Sequence, residues 1–110
     1  MYKRQLVFDE IDVGISGRAA QKVAEKMAVI SRSHQVISIT HLPQIAAMAD
    51  SHYLIEKSAD EGKTVTRIVR LNDEESTEEI ARLLGGVTIT EAVMSNAREM
   101  KQMAEKTKKY

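Results

Sequence analysis

LVFDEIDVGISGR, residues 6–18, is the stretch on which the reading of the chain turns. Three large apolar residues, Leu6, Val7 and Phe8, run straight into two adjacent carboxylates, Asp9 and Glu10, and the chain then turns through Gly14 and Gly17 into a helical pattern. A short apolar run bounded by turn residues predicts a strand buried on both faces, and in open α/β sheets ligands gather at the carboxyl ends of such strands. The acid pair therefore falls where chemistry is usually done. Successive side chains on a strand diverge, so Asp9 and Glu10 can share one task only where the backbone is already turning.

Working outward, Ser16 can cap a helix whose apolar residues Ala20, Val23, Ala24, Met27 and Ile30 recur at helical spacing. Its polar face, with Arg18, Gln21, Lys22, Glu25 and Lys26, reads as solvated surface. Residues 31–35 break the pattern, and Val36-Ile37-Ser38-Ile39-Thr40 is a second β-rich run. Strand, helix, strand at this spacing predicts a right-handed βαβ unit with parallel strands in one sheet. Thr40 and His41 leave the second strand, and Pro43 suits the first turn of a short helix. His41 is then expected on the same sheet edge as Asp9 and Glu10.

The second half changes character. Residues 52–57 and 64–71 flank a polar segment and predict an antiparallel hairpin; neither face is cleanly apolar, so an edge location is expected. Ser76-Thr77-Glu78-Glu79 has capping-box spacing, Ile80, Leu83 and Leu84 form an apolar stripe, and Gly85-Gly86 supplies a stop. A last helix is expected from about Thr90 to Lys106, with Val93, Ala97, Met100 and Ala104 on one side. Its basic end complements the helix dipole and reads as a frayed terminus.

Composition narrows the classes. The 110 residues, 43% of them hydrophobic, fit one small domain or a piece of a larger one. No run is long enough to span a membrane, and MYKRQ lacks the apolar segment of a signal peptide behind it, so a cytoplasmic location and no membrane partner are expected. Cysteine is absent, which removes disulfides and thiolate chemistry. Lys plus Arg and Asp plus Glu both number 16, so no global field points to nucleic acid. Gly62-Lys63-Thr64 mimics the end of a phosphate-binding loop, but Lys57 stands where the first glycine is required and a strand follows instead of a helix. His34, His41, His52 and Asp50 match no zinc spacing.

An acid pair ending a buried strand suits a nucleotide hydrolase: the first acid helps hold Mg²⁺, the second orients or deprotonates the attacking water, and His41 donates to the γ-phosphate. Two acids that merely end a strand in solvent are the alternative. The motifs weigh against it. LVFDEID resembles the Walker B strand of ABC-type ATPase heads, VGISGR falls at their D-loop, and SITHLPQIAAMAD is similar to their switch strand and histidine loop. Together with ARLLGG, in the same order over nearly the whole chain, they resemble the RecN family of bacterial DNA-repair ATPases, relatives of the structural-maintenance-of-chromosomes (SMC) proteins.

The resemblance implies an α/β fold, a partial P-loop NTPase head lobe with a parallel βαβ core followed by a hairpin and two helices, over residues 1–110. It implies that Asp9 is the metal-side acid, Glu10 the catalytic base, His41 the γ-phosphate sensor, and Gly14, Ile15 and Ser16 the loop facing a second head. Ser16 stands where the D-loop of transporters and SMC proteins carries Asp. Walker A, Q-loop and signature motifs lie upstream of Walker B in such heads and are not found here. ATP and Mg²⁺ are accordingly expected only with an N-terminal lobe, the chain alone being inactive. The implied partners are that lobe, a second head in a homodimer, and DNA indirectly, in double-strand-break repair and recombination at the nucleoid. A non-catalytic interaction module keeping the fold is the alternative. A DEAD-type helicase fits less well, since DEID is similar to its acidic box but THLPQ does not follow the expected downstream motif.

Overall fold

The computed structural model describes residues 4–9, 17–86 and 88–108. Its elements are β1 (Arg4–Asp9), α1 (Gly17–Ile30), β2 (His34–Ile39), α2 (Pro43–Met48), β3 (Tyr53–Asp60), β4 (Lys63–Arg70), α3 (Asp73–Gly85) and α4 (Glu91–Lys108). β1 and β2 pair in parallel, Arg4 opposite His34 through Asp9 opposite Ile39, so the expected βαβ unit is present. Its helix begins at Gly17, whose φ of +57° lies in the left-handed region that favours glycine.

The β1–β2 sheet is covered on one side. Phe8 and Val36, with half-buried Leu6 in the same register as Phe8, turn toward the helices, where Ala20, Ala24, Met27, Leu42, Ile45 and Met48 form the first core cluster together with Ala104 of α4, Phe8 and Val36 packing against it. Val7, Ile37 and Ile39 point the other way and are 63%, 43% and 41% exposed. Burial of β1 on both faces is therefore not found in this chain. The alternation has a simple cause: side chains on a strand alternate between faces, and the helices packed on this sheet occupy only one of them.

A second cluster joins α2, α3 and α4. Ile80 and Ala81 of α3, Ala46 and Ala47 of α2, and Ala97 of α4 are its buried members. Small residues on three facing helices let the backbones approach closely, and Ile80, fully buried, fills the space between them. α3 starts earlier than expected. Its cap is Asn72, whose side-chain oxygen accepts from the Glu75 amide at 2.8 Å while the Glu75 carboxylate accepts from the Asn72 amide at 2.9 Å. Asp73, Glu74 and Glu75 then occupy the positive end of the helix, which leaves Ser76 inside it instead of at the cap. The helix stops as expected at Gly85-Gly86: the Gly86 amide donates to Arg82 O at 2.9 Å, with Gly86 φ at +70°.

β3 and β4 form a separate antiparallel sheet instead of an edge added to β1–β2. Asp60 faces Lys63, so only Glu61 and Gly62 make the turn, with φ of 49° and 77°. Two positive φ values identify a type I′ turn, whose twist matches that of the paired strands. The GKT sequence is thus the second residue of a hairpin turn followed by the start of β4. Among the described elements the hairpin packs on no other, and its root is closed by the Leu71 amide donating to His52 O at 2.9 Å. The basic end of α4 is docked, not frayed: Lys108 Nζ reaches Ala49 O at 3.3 Å and Asp50 Oδ1 at 3.1 Å, and Lys101 Nζ reaches Asp73 Oδ1 at 2.7 Å.

Candidate functional site

Parallel pairing fixes the geometry of the site. Asp9 is the last residue of β1 and lies opposite Ile39, the last residue of β2, so both strands deliver their carboxyl ends to one edge. Asp9 is exposed there and shares the outward-facing register of Val7. Two residues beyond Ile39 comes His41, also exposed, in the short link between β2 and α2. Thr40 Oγ1 accepts from the Leu42 amide at 3.0 Å, a local turn that diverts the chain away from the sheet. Pro43 then opens α2 at a position where a missing N–H is harmless. Leu42, Ile45 and Met48 anchor this short helix in the first cluster and so fix the link that carries His41.

Of the residues singled out from the sequence, Asp9 and His41 are brought to the same sheet edge. Glu10, Gly14, Ile15 and Ser16 lie outside the described residues, as does the Ser16 cap. An exposed strand-end carboxylate is a hard oxygen donor of the kind Mg²⁺ takes, usually one or two carboxylates completed by substrate phosphates and water. Asp9 fits that role as one ligand among several. Among the described residues, no group of three or more His, Asp and Glu side chains converges to form a complete metal site.

A separate concavity lies elsewhere. A cleft of about 480 Å³ is lined by residues from the α2–β3 link, the hairpin root and α3, with Lys101 of α4, and includes neither Asp9 nor His41. Within it His52 Nδ1 and Ser76 Oγ are 2.7 Å apart, joining the hairpin root to α3 across 24 residues of sequence. Burial pushes the His52 imidazole below its usual pKa, the Glu79 carboxylate opposes that shift, and Lys101 adds to it. The neutral ring is therefore the preferred form. This contact escaped the sequence reading, in which Ser76 was expected as a cap; the Asn72-x-x-Glu75 spacing was the signal that would have moved Ser76 into the helix. Nearby, the hydrogen bond from Lys101 holds the Asp73 carboxyl below the usual range.

A parallel strand pair that ends in an acid and a histidine, with an antiparallel hairpin and two trailing helices, is the architecture of part of an SMC-type ATPase head. A solved chain described as "Structural biochemistry of ATP-driven dimerization and DNA stimulated activation of SMC ATPases" superposes with a TM-score of 0.59 at 25% identity, covering 76% of this chain and 50% of that one. In sequence the chain is a homologue of the C-terminal part of proteins named DNA repair protein RecN. It is 45% identical over 103 residues to that of Bacillus subtilis (strain 168) and 48% identical over 103 residues to that of Halalkalibacterium halodurans, 94% of this chain in each case. The protein of Deinococcus radiodurans is 47% identical over 95 residues, 86% of this chain. The chain spans only 18% of the length of the first two. No protein-family model matches it.

Proposed function

We propose that residues 1–110 act as the C-terminal lobe of a RecN-type ATPase head serving DNA double-strand-break repair and recombination. The observation that carries this is the delivery of Asp9 and His41 to one edge of a parallel strand pair, in a chain 45–48% identical to RecN proteins over 94% of its length. Mg²⁺–ATP would supply the electrophilic phosphorus. Asp9 would hold the metal side of the site, Glu10 would take the proton from the attacking water, and His41 would donate to a γ-phosphate oxygen. The loop of Gly14, Ile15 and Ser16 would face a second head, so that ATP would clamp two heads together and hydrolysis would free them; DNA would be engaged through the full-length protein.

The lobe is chemically half a site. Most phosphate contacts in such enzymes come from a phosphate loop and its helix N-terminus. The exposed apolar face of Val7, Ile37 and Ile39, and the open edges of two sheets of two strands each, support an N-terminal lobe as the element that completes it. No helix among the described residues is long and apolar enough to cross a membrane, and the proposed setting is the bacterial cytoplasm at the nucleoid.

The test is to mix this chain with a separately produced N-terminal half and measure ATP turnover. Each half alone is expected to be inactive and the mixture active, with Glu10→Gln lowering the rate by about 10²–10⁴-fold. A complex that forms without turnover would instead support the non-catalytic interaction module.

A further inference from the structure

The cleft between α1 and α4 has the shape and charge of a docking groove. Both helices pack against α2 and make far less contact with each other, leaving an opening of about 420 Å³ floored by α2. On the α4 wall the lining residues stand at positions 96, 99, 100, 103, 104 and 107, one stripe along three turns, roughly 16 Å at about 1.5 Å per residue. The cleft is therefore elongated along the helix. Its apolar contacts come chiefly from Met48, Met100 and Met103, unbranched thioether side chains that repack around differing shapes; Met103 is 56% exposed.

Charge is sorted across α4. Lys101 and Lys108 are tied to Asp73 and Asp50, away from the cleft, while Glu99 lines it and Glu25 of α1 stands on the opposite wall. Among the described residues, no lysine or arginine lines the cleft. Gln44, on the floor, has its Oε1 buried without a hydrogen-bond partner among the described residues, although buried acceptors are nearly always satisfied. An acceptor, two carboxylates and a methionine surface call for apolar anchors accompanied by cationic donors.

We propose that this groove binds a basic amphipathic helix of a partner protein, its apolar face on Met48, Met100 and Met103 and its Lys or Arg side chains on Glu25, Glu99 and Gln44. Such a helix presents anchors at i, i+3, i+4 and i+7, the spacing that a stripe of this length accepts. The binding uses neither Asp9 nor His41 and stands independently of nucleotide chemistry.

The experiment titrates the 110-residue chain with a fluorescent synthetic helix of about five turns carrying leucine on one face and lysine on the other, and with a twin carrying glutamate in place of lysine. The lysine helix is expected to bind with Kd below ~100 µM at low salt, at least ~10-fold more tightly than its twin, and to weaken as salt rises. Glu25 and Glu99 are both exposed, so the double charge reversal Glu25→Lys/Glu99→Lys keeps the fold, as circular dichroism checks. It should weaken the lysine helix at least ~10-fold and admit the glutamate helix. Met103→Glu, at another exposed position, should weaken both. Equal binding of the two helices, binding untouched by the charge reversal, or no binding by either would overturn the proposal. So would concentration-dependent dimerisation of the chain lost in the Glu25→Lys/Glu99→Lys variant, which would make a second copy the occupant.

Discussion

Replacing Ile80 by alanine tests how the site edge is held in place. α2 is only six residues long, too short to be stable by itself, so its position and that of the His41 link depend on packing against α1, α3 and α4. Ile80 is 0% exposed at the centre of the second cluster. Three carbons are removed, worth about 0.8 kcal/mol each, or about 2.4 kcal/mol of transfer free energy. A cavity adds to this, because the buried neighbours Ala46, Ala47, Ala81 and Ala97 have no side-chain length with which to fill it. Met94 and Met100 at the periphery can relax inward and recover a fraction. The expected loss is therefore about 3–4 kcal/mol, a large share of the total of roughly 5–15 kcal/mol typical of a domain. Urea unfolding followed by far-UV circular dichroism should show the midpoint falling by more than about 1 M with an unchanged slope, while Ile80→Val costs only about 0.5–1.5 kcal/mol. A loss below about 1 kcal/mol for Ile80→Ala, or one no larger than that of Ile80→Val, would refute the assignment of Ile80 as the element joining the three helices.

The imidazole of His52 should give acid sensitivity of a defined sign. Burial lowers its folded-state pKa below the unfolded value, so its contribution to stability is complete above about pH 6.5 and is lost as the pH falls through the lower folded value. His52→Gln should flatten that part of the stability profile; a wild-type profile that rises on acidification from pH 7 to pH 5 would contradict it. Asn72→Ala removes one arm of the capping box and should cost about 1 kcal/mol, whereas Asn72→Asp retains the acceptor and should cost much less, both read from thermal unfolding. Glu61→Asn places a residue suited to positive φ in the type I′ turn, and because the hairpin packs on no other described element the gain of about 0.5–1 kcal/mol should appear as slower hydrogen exchange of β3 and β4 amides with little change in global stability. Val7→Thr with Ile37→Thr should leave the stability of the isolated chain within about 1 kcal/mol, since both side chains are exposed, yet weaken association with an N-terminal half in pull-down and turnover assays.

Local physics made most of the fold legible. The βαβ unit follows from an apolar run, a 3.6-residue stripe and a second apolar run, each with one dominant interpretation, and the Gly85-Gly86 stop reflects a backbone conformation that side chains resist. Misreadings arose where local signals competed or where the answer depended on what the chain packs against. Ser76 and Asn72 both begin a capping-box spacing, and only the Asn72–Glu75 pair forms the reciprocal hydrogen bonds, while Ser76 inside the helix meets His52, a contact that leaves no periodic trace. The run Leu6-Val7-Phe8 announces a strand with two apolar faces, but apolarity cannot say whether the cover is in the same chain. The basic tail of α4 looked like an end because its acceptors, Ala49, Asp50 and Asp73, are distant in sequence.

The same distinction explains the candidate site. Asp9 and His41 are 32 positions apart, and their shared edge follows from one topological fact, the parallel pairing of the strands they terminate. A parallel pair needs a crossover, the crossover supplies α1, and α1 covers one face of the sheet while leaving both strand ends free. The chain thus builds the edge of the candidate site from local rules alone. Among the described residues no opposing wall is built: Val7, Ile37 and Ile39 face outward beside the exposed Asp9 instead of being enclosed. Electrostatic control of phosphoryl transfer depends on excluding water and fixing the phosphates against oriented donors. An uncovered apolar surface next to an exposed acid is therefore one physical deficit, and a second lobe seated on this face would remove the exposed surface and enclose the carboxylate in the same step.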